Sequence, residues 1–300
     1  MAVGEERKLA EAQGSAERGR RKRKTTRRGP SWTGHALRAV IAAVFLFPIL
    51  FMIVGAFKPD HLVLGEANTL RAFWPTQASL TNFVSAFLRA RFGQLFLNSV
   101  IISTFTVGLG LIINSMFGYG LSRLPFRGSR LVLFAVIALT IIPLESVAIP
   151  LLWMVSEVGL RNTYAVHILP FVANPLFIYL FYTFFLPIPK DLEDAARVDG
   201  AGVVRTFVQV VVPISKPAYA TVAILSYMFI WGQLLWPVLV TSGPAVRPLP
   251  LGLSVLIHQP PISWGDVMAY AFMMTLPLLV LFLVFQRWFI HSVASSGIKG

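Results

Sequence analysis

The chain has 300 residues, of which 56% are hydrophobic and only 13% charged, with a mean hydropathy of +0.70. Soluble globular chains carry about 25% charged residues, so this composition excludes a water-soluble enzyme and a disordered chain alike. Lys and Arg number 26 against 13 acidic residues, a net charge of +13, and the lack of cysteine excludes disulfides and thiolate metal sites.

Ten of the basic residues fall within residues 1–28, mostly in the run Arg18–Arg28. Such a run suits a nucleic-acid arm or a tail held on the cytoplasmic side of a membrane. The apolar segment that follows at once favours the tail, so no nucleic acid is expected as a partner. Residues 1–35 are read as a basic cytoplasmic tail without fixed structure, and residues 36–300 as one membrane domain. No small-residue cleavage site ends the first apolar stretch, so a cleaved signal peptide is not expected.

A bilayer core about 30 Å thick needs roughly 20 apolar residues in a helix. Six segments meet that length: Ala36–Phe57, Leu95–Leu121, Leu131–Trp153, Tyr164–Leu186, Ala218–Val240 and Val267–Ile290. Backbone groups in lipid must pair internally, and the alternation of a lipid-facing barrel is absent. The predicted fold class is therefore an all-α membrane protein with six transmembrane helices. With the N-terminus inside, the inside regions hold 20 Lys and Arg and the outside regions 6. That asymmetry predicts both termini in the cytoplasm of a multi-pass cell-membrane protein.

The outside loop Lys58–Gln94 has room for a surface helix, predicted over Leu80–Phe92. Within the third span, Glu145 is the only acidic residue deep in a predicted membrane segment, so its carboxylate must face protein or water. Pro143 frees a backbone carbonyl nearby and opens the helix there. A proton relay and a structural, pathway-lining role both suit Glu145. A relay usually has a second intramembrane ionisable partner, and none is evident.

The inside loop 187–217 stands apart, gathering Asp191, Glu193, Asp194 and Asp199. Asp191 can cap a short helix, with Glu193 and Asp194 near its positive end and Leu192, Ala195 and Ala196 forming a small apolar face. Gly200 and Gly202 break that helix. A second starts near Val203, with Val204, Phe207, Val208 and Val211 on one face, and Pro213 and Pro217 bound the segment. A docking surface and a self-packing linker suit these residues equally.

In the fifth span, Ser226, Gln233 and Trp236 fall near one helical face, flanked by Tyr227 and Trp231. Amides, hydroxyls and aromatic rings suit a carbohydrate path; helix packing and an interfacial aromatic belt account for the same residues. The outside loop 241–266 is rich in Pro and Gly, and long loops of this kind are usually functional. No phosphate-cradling loop, HExxH or nucleophile beside a base occurs, so the chain is not expected to be an enzyme or to hold a metal.

Asp194-Ala195-Ala196, Gly200 after three residues, then Val210-x-Val212-Pro213 after nine resembles the EAA motif of ABC-importer permease subunits. Asn98-Ser99, Gly118-Tyr119-x-Leu121-Ser122-Arg123, Pro143-x-Glu145 and Gly159-Leu160-x-Asn162-Thr163-Tyr164 extend the resemblance to the six-span permeases of the carbohydrate-uptake family. The resemblance implies that loop 187–217 is a coupling helix seated on an ATPase, through Glu193, Asp194, Ala195, Ala196, Asp199, Gly200 and Pro213. It implies four partners besides membrane lipid: a second homologous permease, two ATPase subunits, and an extracytoplasmic solute-binding protein that meets the loop 241–266. This chain would bind no cofactor, ATP and Mg being used by the partner ATPase. Trp231-Gly232-Gln233 departs from the family, where an Asn and an acid are usual, which bears on the solute. An ion- or proton-coupled secondary transporter and a non-transporting membrane scaffold are the competing readings.

Overall fold

The computed structural model describes residues 32–75 and 77–297, with side chains described as far as Phe285. Most of the basic tail expected over residues 1–35 lies outside the described residues. Among those that are described, every element is helical. The first is α1, Trp32–Phe57, which matches the first expected span and starts four residues earlier. The chain divides into two units within α1, after Leu50, and the second contains the core.

The 32-residue α4, Phe92–Arg123, is the spine of the second unit. Along its buried side runs a stripe of polar or small residues: Ser99, Ser103, Thr106, Gly110 and Asn114 recur every three or four residues. Phe105, Leu109, Ile112 and Met116, on the other side, are exposed. This is the pattern of a membrane helix, where small and polar side chains pack inward and apolar ones face lipid. A Cβ added at Gly118 would stand 2.7 Å from Cβ of Phe181, so the missing side chain lets α4 press against α8, Pro175–Phe185.

Before α4 come α2, Asp60–Gly65, and α3, Thr81–Arg89. The expected surface helix Leu80–Phe92 thus ends at Arg89, and Phe92 already opens α4. Arg91 between them takes the left-handed φ of 52°, which turns the chain from one helix into the other. The outer segment is pinned down: buried Asn82 donates to the carbonyls of Ala56 (3.0 Å) and Lys58 (2.6 Å).

Among the described residues, three helices are long and apolar enough to cross a bilayer: α1, α4 and α15, Trp264–Gly297. The other three expected spans are not straight helices. The third, Leu131–Trp153, is α5, Ser129–Leu139, and α6, Leu144–Glu157, bent by 100°. The cause is Pro143, which has no N–H for the Leu139 carbonyl and holds an extended ψ of 150°. The fourth is α7, Tyr164–Ile168, a 3₁₀ turn Leu169–Phe171, then α8, bent by 44°.

The loop 187–217 folds as α9, Lys190–Val198, and α10, Val203–Thr206, a wide turn Phe207–Val211, then α11, Val212–Ile214. The wide turn precedes Pro213, whose missing N–H leaves the Gln209 carbonyl without its ordinary partner. The fifth expected span, Ala218–Val240, is α12, Lys216–Trp231, and α13, Leu235–Val240, interrupted at Gly232–Leu234. Pro237 denies the Gln233 carbonyl its helical hydrogen bond. The outside loop 241–266 contains a helix of its own, α14, Leu249–Ile257, with Pro250 in its first turn, where proline favours helix.

Candidate functional site

Two regions gather the residues singled out from the sequence. The first is α9. Pro189, not Asp191, stands at its N-cap; Asp191 and Glu193 lie in the first turn, beside the unsatisfied N–H groups. The helix ends on a left-handed glycine, Gly200 with φ 78°, as helices commonly do. There the Gly200 N–H donates to the Arg197 carbonyl (3.0 Å) and the Ala201 N–H to that of Ala196 (2.9 Å). Asp199 is the residue at the C-cap.

The two adjacent carboxylates have opposite surroundings. Glu193 is buried, and its carboxylate accepts from Arg123 Nε and, at 3.2 Å, from the Tyr119 hydroxyl. Arg123 also donates to the Ile188 carbonyl at 2.8 Å, so the end of α4, the approach to α9 and α9 itself are locked together. Asp194 is exposed and pairs only with Arg197 at 3.1 Å. Beside the pair opens a cavity of about 380 Å³ lined by Ser122, Arg123, Lys190, Asp194 and Arg197.

The outer face of α9 is bare. Leu192 and Ala195 are exposed, Ala196 is half-buried, and Val198 is 88% exposed. Val203 and Val204 continue this apolar surface across the glycine bend. The expected single face Val204, Phe207, Val208, Val211 is split, because the wide turn shifts the helical phase. Phe207 and Val211 enter the core with Tyr119, Phe181 and Phe185, while Val204 and Val208 stay exposed. Pro213 is exposed after the turn.

The second region is a cavity of about 430 Å³ where all three helix breaks meet. Thr140, Pro143 and Glu145 line it from the α5–α6 break, Phe171 and Asn174 from α7–α8, and Phe229 and Gln233 from α12–α13. Broken backbone at membrane depth needs partners or water. Here Asn114 of α4 supplies two: it donates to the Val172 carbonyl (3.0 Å) and accepts the Asn174 N–H (2.9 Å).

Glu145 and Gln233 thus share one cavity, although 88 residues separate them in sequence. The other fifth-span residues do not join them. Trp231 is buried against Leu95 and Tyr270, donates to the Met274 carbonyl (3.1 Å) and stacks on Tyr227. Trp236 is buried beside Val155 and donates to the Val166 carbonyl (2.8 Å). Ser226 is buried within α12. Sequence reasoning gave no role to Tyr119, Arg123 or Asn114. The signal for the first two was an arginine at the inner end of a span, facing a loop rich in carboxylates.

The loop 241–266 is tied to the start of α4. Asn98 donates to the Arg247 carbonyl (2.9 Å) and accepts from the Tyr164 hydroxyl (2.6 Å), while Ser99 accepts the Leu249 N–H (2.8 Å). These are two residues by which the sequence resembled the permeases.

Comparison with known proteins agrees with that resemblance. Residues 107–295 match the family described as binding-protein-dependent transport system inner membrane component. The arabinooligosaccharides transport system permease protein of Halalkalibacterium halodurans is 34% identical over 87% of this chain and 94% of its own length. The diacetylchitobiose uptake system permease protein of Streptomyces coelicolor is 30% identical over 88% of each chain. The fold matches a chain in the crystal structure of a bacterial ABC transporter involved in the import of the acidic polysaccharide alginate. The TM-score is 0.75 at 21% identity, covering 86% of this chain and 95% of that one. The family match over most of the chain and the extent of the shared sequence lead to one conclusion: the chain belongs to the binding-protein-dependent transport system inner membrane components.

Proposed function

We propose that the chain is a permease subunit of an ATP-driven importer for a sugar or oligosaccharide, coupled to its ATPase through α9. Both termini then lie in the cytoplasm, and the six spans are α1, α4, α15 and the three interrupted segments α5–α6, α7–α8 and α12–α13. The observation that carries the coupling reading is the two-sidedness of α9: buried Glu193 fastens one face to α4, while Leu192, Ala195 and Val198 are exposed. A small apolar surface rimmed by Asp191, Asp194 and Asp199 suits a groove on another protein. Partner ATPases, using ATP and Mg, would push on α9, and a second homologous permease would complete the pore. An extracytoplasmic binding protein would deliver solute to the face that carries the loop 241–266.

The solute class rests on relatives named for arabinooligosaccharide and diacetylchitobiose transport and on the cavity at the helix breaks. Glu145, Gln233 and the freed carbonyls can hydrogen-bond hydroxyls there, and Phe171 and Phe229 offer rings. An ion-coupled carrier would want a second ionisable group beside Glu145. Among the residues lining that cavity Glu145 is the only one.

The test is reconstitution of the complex with its ATPase and binding protein in vesicles. The proposal requires solute-stimulated ATP hydrolysis and ATP-dependent uptake. Uptake that follows an ion gradient without ATP, or hydrolysis indifferent to solute, contradicts it.

A further inference from the structure

At the other end of α4 from Glu193 lies a cavity of about 220 Å³ that nothing above uses. Its lining includes Arg89, Arg91, Arg247 and Gln259, and no acidic side chain. Arg89 pairs with Asp266 (2.7 Å), and the same carboxylate oxygen also accepts from Ser85 (2.6 Å). Arg91 and Arg247 have no ion pair among the described residues. Arg247 lines the cavity, and its Nε is buried without a hydrogen-bond partner among the described residues. Arg91 stands at the N-cap of α4, where the first N–H groups and the helix dipole add positive potential. Guanidinium groups favour planar anions that accept two hydrogen bonds.

We propose that Arg91, Arg247 and Gln259 form a socket for a carboxylate, an Asp or Glu side chain of the solute-binding protein as it docks. This rests on the importer reading, which places the cavity on the extracytoplasmic face. The volume lies below the range of about 300–1,000 Å³ usual for ligand pockets, so an oligosaccharide does not fit, whereas a single acidic side chain does. Docking through such charges speeds encounter and makes it dependent on salt.

The complex in nanodiscs of neutral lipid is titrated with its binding protein, and the half-saturating concentration for ATPase stimulation is read at low and high salt. Arg91→Gln should raise it about fivefold and the double variant with Arg247→Gln more than about tenfold, with a shallower salt dependence. Arg91→Lys with Arg247→Lys should recover much of the loss, and Arg161→Gln, outside the cavity, should behave as wild type. Arg91 is exposed, so its single variant decides the matter if the double one does not assemble. Wild-type half-saturation and salt dependence in Arg91→Gln overturn the proposal. So does a loss seen only in anionic-lipid discs, which gives the socket to a headgroup, or only with an acidic solute, which gives it to the cargo. If even the wild-type complex ignores every binding protein, the importer reading fails instead.

Discussion

Glu193 and Asp194 differ by one methylene and one step of sequence, yet only Glu193 reaches inward to Arg123 and Tyr119. Removing one partner of a buried ion pair leaves the other charged and unpaired, which costs about 3–5 kcal/mol. Glu193→Ala should therefore lower the unfolding temperature sharply, and Tyr119→Phe should cost only about 1 kcal/mol. A double-mutant cycle of Glu193→Ala with Arg123→Ala should show coupling above about 1 kcal/mol. Asp194→Ala is exposed and should change stability by no more than about 0.5 kcal/mol, while weakening ATPase co-purification. Gly200 gives a second contrast at this scale. No atom lies within 4 Å of a Cβ built there, so within the chain its demand is the left-handed backbone alone. Gly200→Asn should keep ATPase co-purification better than Gly200→Val, because Asn tolerates that conformation and a β-branched residue does not. Equal loss in both would point to contact with the partner instead.

Among the elements, the broken helices teach most. Asn114 meets two backbone groups at the α7–α8 break, and leaving buried groups unsatisfied costs about 1–3 kcal/mol each. Asn114→Leu, similar in size, should lower thermal stability more than Asn174→Ser, whose shorter hydroxyl can still cap α8; melting of the purified complex checks the order. The break at Pro143 was legible from the chemistry of proline, though its 100° turn was not. Nothing local sets an angle; it follows from what each half packs against. The six apolar stretches and the bend at Gly200 were equally legible, because length, hydropathy and glycine act locally. The inward turn of Glu193 was not, since it depends on the phase of α9 relative to Arg123, 70 residues away. Trp231 and Trp236 looked like candidates for a path because their composition suits sugars. Whether an indole lines a cavity or fills a core is decided by neighbours such as Tyr270 and Val166, which spacing within one span cannot reveal.

For the whole molecule, the cavity at the three breaks makes a distinct prediction. Gln233→Ala and Glu145→Gln each remove hydrogen-bonding capacity from its wall without touching α9. Both should change the apparent affinity or rate of uptake in vesicles while the ATPase still co-purifies. Unaltered uptake in both would assign the cavity to packing. Unlike the three interrupted spans, α4 runs 32 residues without proline, a rod about 48 Å long. One tip carries Arg91 and the other Arg123. A rigid lever of that length converts a tilt of about 5° into a displacement of about 4 Å at the far tip. A displacement imposed at the Arg123 tip would thus arrive at the Arg91 tip with no intervening joint to absorb it.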